Sequence, residues 1–151
     1  IDEMLAAGCR VALGLDGAHN HLDALVELRQ AGILQKVRTN RPTALSPLQA
    51  LEMATLGGAA AMGQEEETGS LEEGRKADLV VLDMDMPHSL PACGRDIVQR
   101  VVYQATRENV LHTMVDGKFL YRDRVFLTLD EKKTLKEAEE QCALLMRRAG
   151  L

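Results

Sequence analysis

The chain has 151 residues, of which 46% are hydrophobic and 27% charged, with a net charge of −5. That is enough for one domain with a real core, and it carries no basic stripe of the kind that binds nucleic acid. No apolar run approaches the roughly 18 residues of a membrane helix. Three cysteines without C-x-x-C spacing indicate a reduced, cytoplasmic protein. No signal peptide is visible and the first residue is not Met, so a fragment or a processed product is expected.

In chain order, residues 1–8 read as the end of a helix stopped by Gly8. Residues 9–15 then read as a strand buried on both faces, ending at Asp16 and Gly17. A barrel of alternating strands and helices presents catalytic groups at such strand ends. Leu22 to Ala31 predicts a helix closed by Gly32. Ser46, Pro47 and Gln49 make an N-cap, a first-turn proline and a capping box. The helix they open carries Leu48, Leu51, Thr55 and Leu56, is interrupted by Gly57 and Gly58, and ends at Gly63.

From residue 64 to 128 the pattern is β. Residues 79–82 predict a buried strand and Val98 to Tyr103 a second candidate. Val110–Val115 and Lys118–Tyr121 flank Asp116 and Gly117, a hairpin signal, and Asp123 and Arg124 make a further reversal. Pro87 and Pro91 bracket an irregular segment, and Glu65–Glu67 reads as a solvated loop. Leu129 to Ala149 predicts one helix, capped by Thr128 with Glu131 and ended by Gly150. Its apolar stripe of Leu135, Ala138, Cys142, Leu145 and Ala149 suits a helix lying on the body of the protein.

Few residues carry chemistry. Asp16 reads equally as a metal ligand or proton acceptor and as a turn aspartate bonded to its own backbone. His19, Asn20 and His21, with Asp23 beyond, have an H-x-H spacing that can chelate zinc, but polar loop residues around a helix cap explain them better. His88 and His112 read as structural or exposed. No nucleophile elbow, phosphate loop or thiol site is present in the sequence.

Residues 14–18, Leu34–Val37, Ala50–Gly63, Gly69–Asp83, Pro87-His88, Val102-Tyr103 and Val115–Lys118 together resemble the C-terminal part of the metal-dependent amidohydrolase superfamily. The branch they resemble is that of the chlorohydrolases and aminohydrolases, including the methylthioadenosine/S-adenosylhomocysteine deaminases. The resemblance implies an α/β chain in three parts. Residues 1–63 would be the last strand and following helices of a (β/α)8 TIM barrel, 64–128 part of a small β-sandwich, and 129–151 a long C-terminal helix.

The function the resemblance implies is hydrolysis of C–N or similar bonds in a nitrogen heterocycle, as in a deaminase using metal-activated water. Asp16 would be the metal ligand and catalytic proton shuttle, the metal zinc or alternatively iron. His19, Asn20 and His21 replace the family's substrate-loop residues, and Leu15 replaces its threonine. The family's H-x-H, later histidines and second acid lie upstream of the part matched here. The isolated chain is therefore expected to be inactive, with exposed sheet edges covered by the missing N-terminal half or by a second copy. Its parent's substrate would be a small heterocycle; nucleic acid and membrane are not expected partners. Two other readings remain open: a non-catalytic α+β interaction module, and a small metal-binding domain on Asp16, His19, His21 and Asp23.

Overall fold

The computed structural model describes residues 1–17, 22–94 and 96–151. Four helices come first: α1 (Asp2–Ala6), α2 (Ala24–Thr39), α3 (Pro47–Ala54) and α4 (Leu56–Ala61). Then follow β1 (Leu79–Leu82), α5 (Ile97–Gln104), β2 (Val110–Val115), β3 (Lys118–Arg122), β4 (Val125–Phe126) and α6 (Glu131–Ala149). Mixed α/β character is as expected, with α2, α3 and α5 gathered around one core and the strands in one antiparallel sheet of order β1-β2-β3-β4.

The core lies among α2, α3 and α5. Leu28, Leu45, Ala50, Met53 and Val102 are its buried members, and Ile1, Leu5, Val11 and Leu13 pack on it from the N-terminal segment. Helix α3 starts as its sequence dictates. Ser46 Oγ accepts from the Gln49 N–H at 3.2 Å, and the Ser46 N–H donates to Gln49 Oε1 at 2.9 Å. Ala50 and Met53 form its buried face, whereas Leu48 is exposed.

Several expectations are corrected. Residues 9–15 form no strand: a ladder needs a hydrogen-bonded neighbour, and among the described residues none lies beside them. The segment lies on the helices instead, with the Leu13 N–H donating to the Met53 carbonyl at 3.1 Å. Gly32 does not end α2. The helix runs on to Asn40, whose left-handed φ of 49° closes it. A Cβ at Gly32 would sit 3.3 Å from the Tyr103 hydroxyl, so this glycine serves close packing.

The break after α3 falls at Thr55, and Gly57 and Gly58 lie inside α4. A Cβ on Gly57 would meet the Val11 carbonyl oxygen at 2.6 Å. Residues 98–103 are helical rather than extended. Asp96 caps α5 by accepting from the Val98 N–H at 3.1 Å, and Val98 and Val102, one turn apart, face the core.

The sheet matches its sequence signals in position but not in burial. Both turns have the paired positive φ of type I′ hairpins: 48° and 74° at Asp116 and Gly117, 50° and 64° at Asp123 and Arg124. Strand β1 is half exposed, with Val80 at 55% and Val81 at 38%, rather than buried. The last helix is capped by Asp130, which accepts from the Lys133 N–H, and not by Thr128. Gly150 closes it at φ 74°. None of its residues is buried, so its stripe does not lie against a described surface.

One buried side chain braces the sheet's start. Asn109, with no exposed surface, donates from Nδ2 to the Asp83 carbonyl at 2.6 Å. Its Oδ1 accepts from the Thr106 N–H at 2.8 Å and lies 2.8 Å from His88 Nε2. The structural reading of His88 therefore holds, its ring tied to the buried Asn109. His112 is likewise structural, its Nδ1 accepting from the Asp123 N–H at 3.1 Å. Asn109→Ala would leave several buried groups without partners, a loss of about 3 kcal/mol, read as a lowered denaturant midpoint at unchanged slope.

Beside this brace, the Asp85 N–H and then the Arg124 guanidinium hold the Asp83 carboxyl below the usual aspartate range. The stability this adds is present above the unfolded value of about 3.9 and is lost as pH falls through the lower folded value. Asp83→Asn should therefore flatten the acid limb of a stability–pH curve.

Candidate functional site

The residue to place first is Asp16. Two anchors position the segment that carries it: the Leu13–Met53 backbone bond and the Val11 carbonyl seated over Gly57. Val11 and Leu13 turn inward, while Gly14, Leu15 and Asp16 are exposed. Among the described residues the Asp16 carboxylate makes no hydrogen bond or ion pair; the backbone N–H groups that a turn aspartate would meet, from residue 18 on, lie outside them.

Asp23 is placed differently. It is buried, and its Oδ1 accepts from the Leu25 and Val26 N–H groups at 2.9 and 3.3 Å, capping α2. His19, Asn20 and His21 lie outside the described residues. No three His, Cys, Asp or Glu side chains cluster to hold a metal among the described residues. The three cysteines are free and exposed. No described helix is long and apolar enough to cross a membrane.

A groove of about 1230 Å³ lies between the helices and one face of the sheet. Leu25, Leu28 and Leu51 line its helical wall; Val80, Leu82 and Val115 line the strand wall. Its polar lining is largely committed elsewhere: Asp23 to the α2 cap, and Asp78 to the Asp116 N–H at 2.6 Å. An apolar lining of this extent suits packed polypeptide better than a small polar ligand. Sequence reasoning did not foresee the roles of Asp78 and Asn109. Each meets a backbone group distant in sequence, Asp116 for Asp78 and Asp83 for Asn109, that only the fold brings near.

The arrangement is a helical layer carrying one exposed carboxylate at the end of a glycine-flanked segment, next to a small antiparallel sheet. Residues 1–120 match the amidohydrolase family, and the chain belongs to that family. It is 42% identical over 150 residues to a 5'-deoxyadenosine deaminase of Methanosarcina mazei, covering 98% of this chain and 34% of that protein. It is 43% identical over 152 residues to a 5-methylthioadenosine/S-adenosylhomocysteine deaminase of Halobacterium salinarum, covering 99% and 34%. The fold superposes on the crystal structure of a Xanthomonas campestris adenosine deaminase with bound zinc. The TM-score is 0.86 at 33% identity, over 91% of this chain and 31% of that one. The chain thus spans about a third of the length of these relatives.

The geometry separates two roles for Asp23. Asp23→Ala should cost about 1 kcal/mol of stability through the lost cap, and Asp23→Ser should restore most of it. Metal uptake should be the same in all three proteins. Loss of metal with serine in place would identify Asp23 as a ligand.

Proposed function

We propose that this chain is the C-terminal part of a metal-dependent deaminase acting on the heterocycle of an adenosine-type nucleoside. The carrying observation is that 98% of the chain aligns with about a third of a deaminase's length, with Asp16 exposed in the region aligned. In this reading residues 1–63 complete a (β/α)8 barrel, residues 64–128 belong to a β-sandwich and residues 129–151 are an appended helix. Residues 9–16 become a paired strand only when the rest of the barrel lies beside them. The groove and the exposed face of β1 are where the remainder of the longer polypeptide packs; a second copy of the chain is the alternative occupant.

Asp16 is the group proposed for catalysis and for metal binding. A carboxylate oxygen is a suitable donor to zinc or to iron. One carboxylate is not a metal site, however, because a catalytic zinc takes three protein ligands. The described residues therefore do not fit a zinc ion by themselves, and the other donors come from elsewhere in the longer protein. What Asp16 contributes on its own is a fixed, exposed base. It can accept a proton from water as the water oxygen adds to the ring carbon, and pass that proton to the amino nitrogen, whose bond to carbon then breaks to release ammonia. His19, Asn20 and His21 would form the substrate-side loop that follows it.

Two measurements test this reading. In the longer protein, Asp16→Asn should lower deamination by about 10²–10⁴-fold with little change in melting temperature. The isolated chain should release no ammonia from adenosine-type nucleosides and should retain no stoichiometric zinc or iron on elemental analysis. Stoichiometric metal on the isolated chain would overturn the shared-site reading.

A further inference from the structure

Helix α5 carries three buried polar atoms with no hydrogen-bond partner among the described residues: Arg100 Nε, Tyr103 Oη and Gln104 Oε1. Steps of three and four residues put these side chains on one helix face. With Gln99, the same three residues line a cavity of about 90 Å³. Arg100 is only 8% exposed. Its Nη2 donates to the Met84 carbonyl at 2.7 Å and to the Ser89 carbonyl at 3.1 Å, and no carboxylate pairs with it among the described residues.

Buried polar groups are almost always satisfied, by protein or by ordered water. Arg100 Nε is a donor and Gln104 Oε1 an acceptor, one helical turn apart, yet they do not bond to each other. The occupant that satisfies both must accept and donate at once. A cation is opposed by the guanidinium, an anion by the amide oxygen, and a hydrocarbon would leave all three atoms unpaired. Water meets the requirement: the cavity is several times larger than the minimum for one molecule, and it offers the two to four polar partners that an ordered water needs.

We propose that this cavity is a structural water site. One water accepts from Arg100 Nε–H and donates to Gln104 Oε1, and the Tyr103 hydroxyl is its third partner. The site lies on the helix that packs against α2, α3 and residues 87–89. The same face of α5 grips residues 84–89 through Arg100, and its C-cap residue Ala105 accepts from Arg29 Nη2 of α2 at 2.5 Å.

A crystal structure of the full-length protein, at a resolution that shows waters, tests the proposal directly. The expected result is a water peak 2.7–3.2 Å from both Arg100 Nε and Gln104 Oε1. An empty cavity, a direct Arg100–Gln104 hydrogen bond, or a bromide peak there after soaking would overturn it. Tyr103→Phe and Gln104→Met provide a second arm. If the water is present, each lowers the melting temperature by several degrees, and the double variant loses less than the sum because both act on one water. If Tyr103 Oη is unpartnered instead, Tyr103→Phe leaves the melting temperature unchanged or raises it, and the proposal fails. Should Gln104→Met not fold, Gln104→Glu, which keeps an acceptor oxygen, is expected to retain the water peak; its loss there counts against the site.

Discussion

Close approach at small residues governs this structure. Ala50 has no exposed surface, and it sits on α3 where α2 and α5 converge. Gly57 lies beneath the Val11 carbonyl, where a Cβ would be 2.6 Å from oxygen. A Cβ on Gly69 would come 2.8 Å from the Ala59 Cβ. Interiors pack at crystal-like density, so a methyl group at such a point cannot be absorbed without moving backbone. The Gly57 contact sets how near the segment 9–17 lies to α4, and with it where Asp16 stands.

The distribution of burial follows from the same core. Its buried members come from α2, α3, α5 and the turn before α3. The sheet contributes none, and β1 exposes two valines while α6 buries nothing. Contiguous apolar surface of this kind is the mark of an interface. The groove is walled by leucines from the helices and valines from the strands, so one apolar body could cover both walls together. On the reading proposed above, the rest of the longer polypeptide is such a body. The same consideration explains why residues 9–15 read as a strand and yet are unpaired: the residues suit a pleated, doubly covered position, but pairing is a property of neighbours.

What the sequence made legible was what local chemistry decides. The Ser46–Gln49 capping box, the Asp116-Gly117 turn and the Gly150 stop depend on residues within four positions of one another, and each stands in the structure as read. Where distant residues decide, the reading failed. Val98 to Tyr103 has a strand-like composition; its helix depends on the Asp96 cap and on a core that accepts Val98 and Val102 together. Gly32 resembles a helix stop, and only Tyr103, some seventy positions away, supplies the reason for a glycine inside α2. Asp23 could be read as a ligand from its neighbours His19 and His21, but two backbone N–H groups occupy it.

For the candidate site this distinction matters more than for the fold. Asp16 and Asp23 are both carboxylates beside the same pair of histidines in sequence. The structure separates them by what their oxygens touch: Asp23 is buried and capped, and Asp16 is exposed with its oxygens uncommitted among the described residues. A group that serves reaction must be held by its backbone while its functional atoms stay free to meet other groups. Asp16 meets this condition through the Val11 and Leu13 anchors. Its position is therefore a product of core packing, and the role proposed for it requires further donors from the rest of the longer protein.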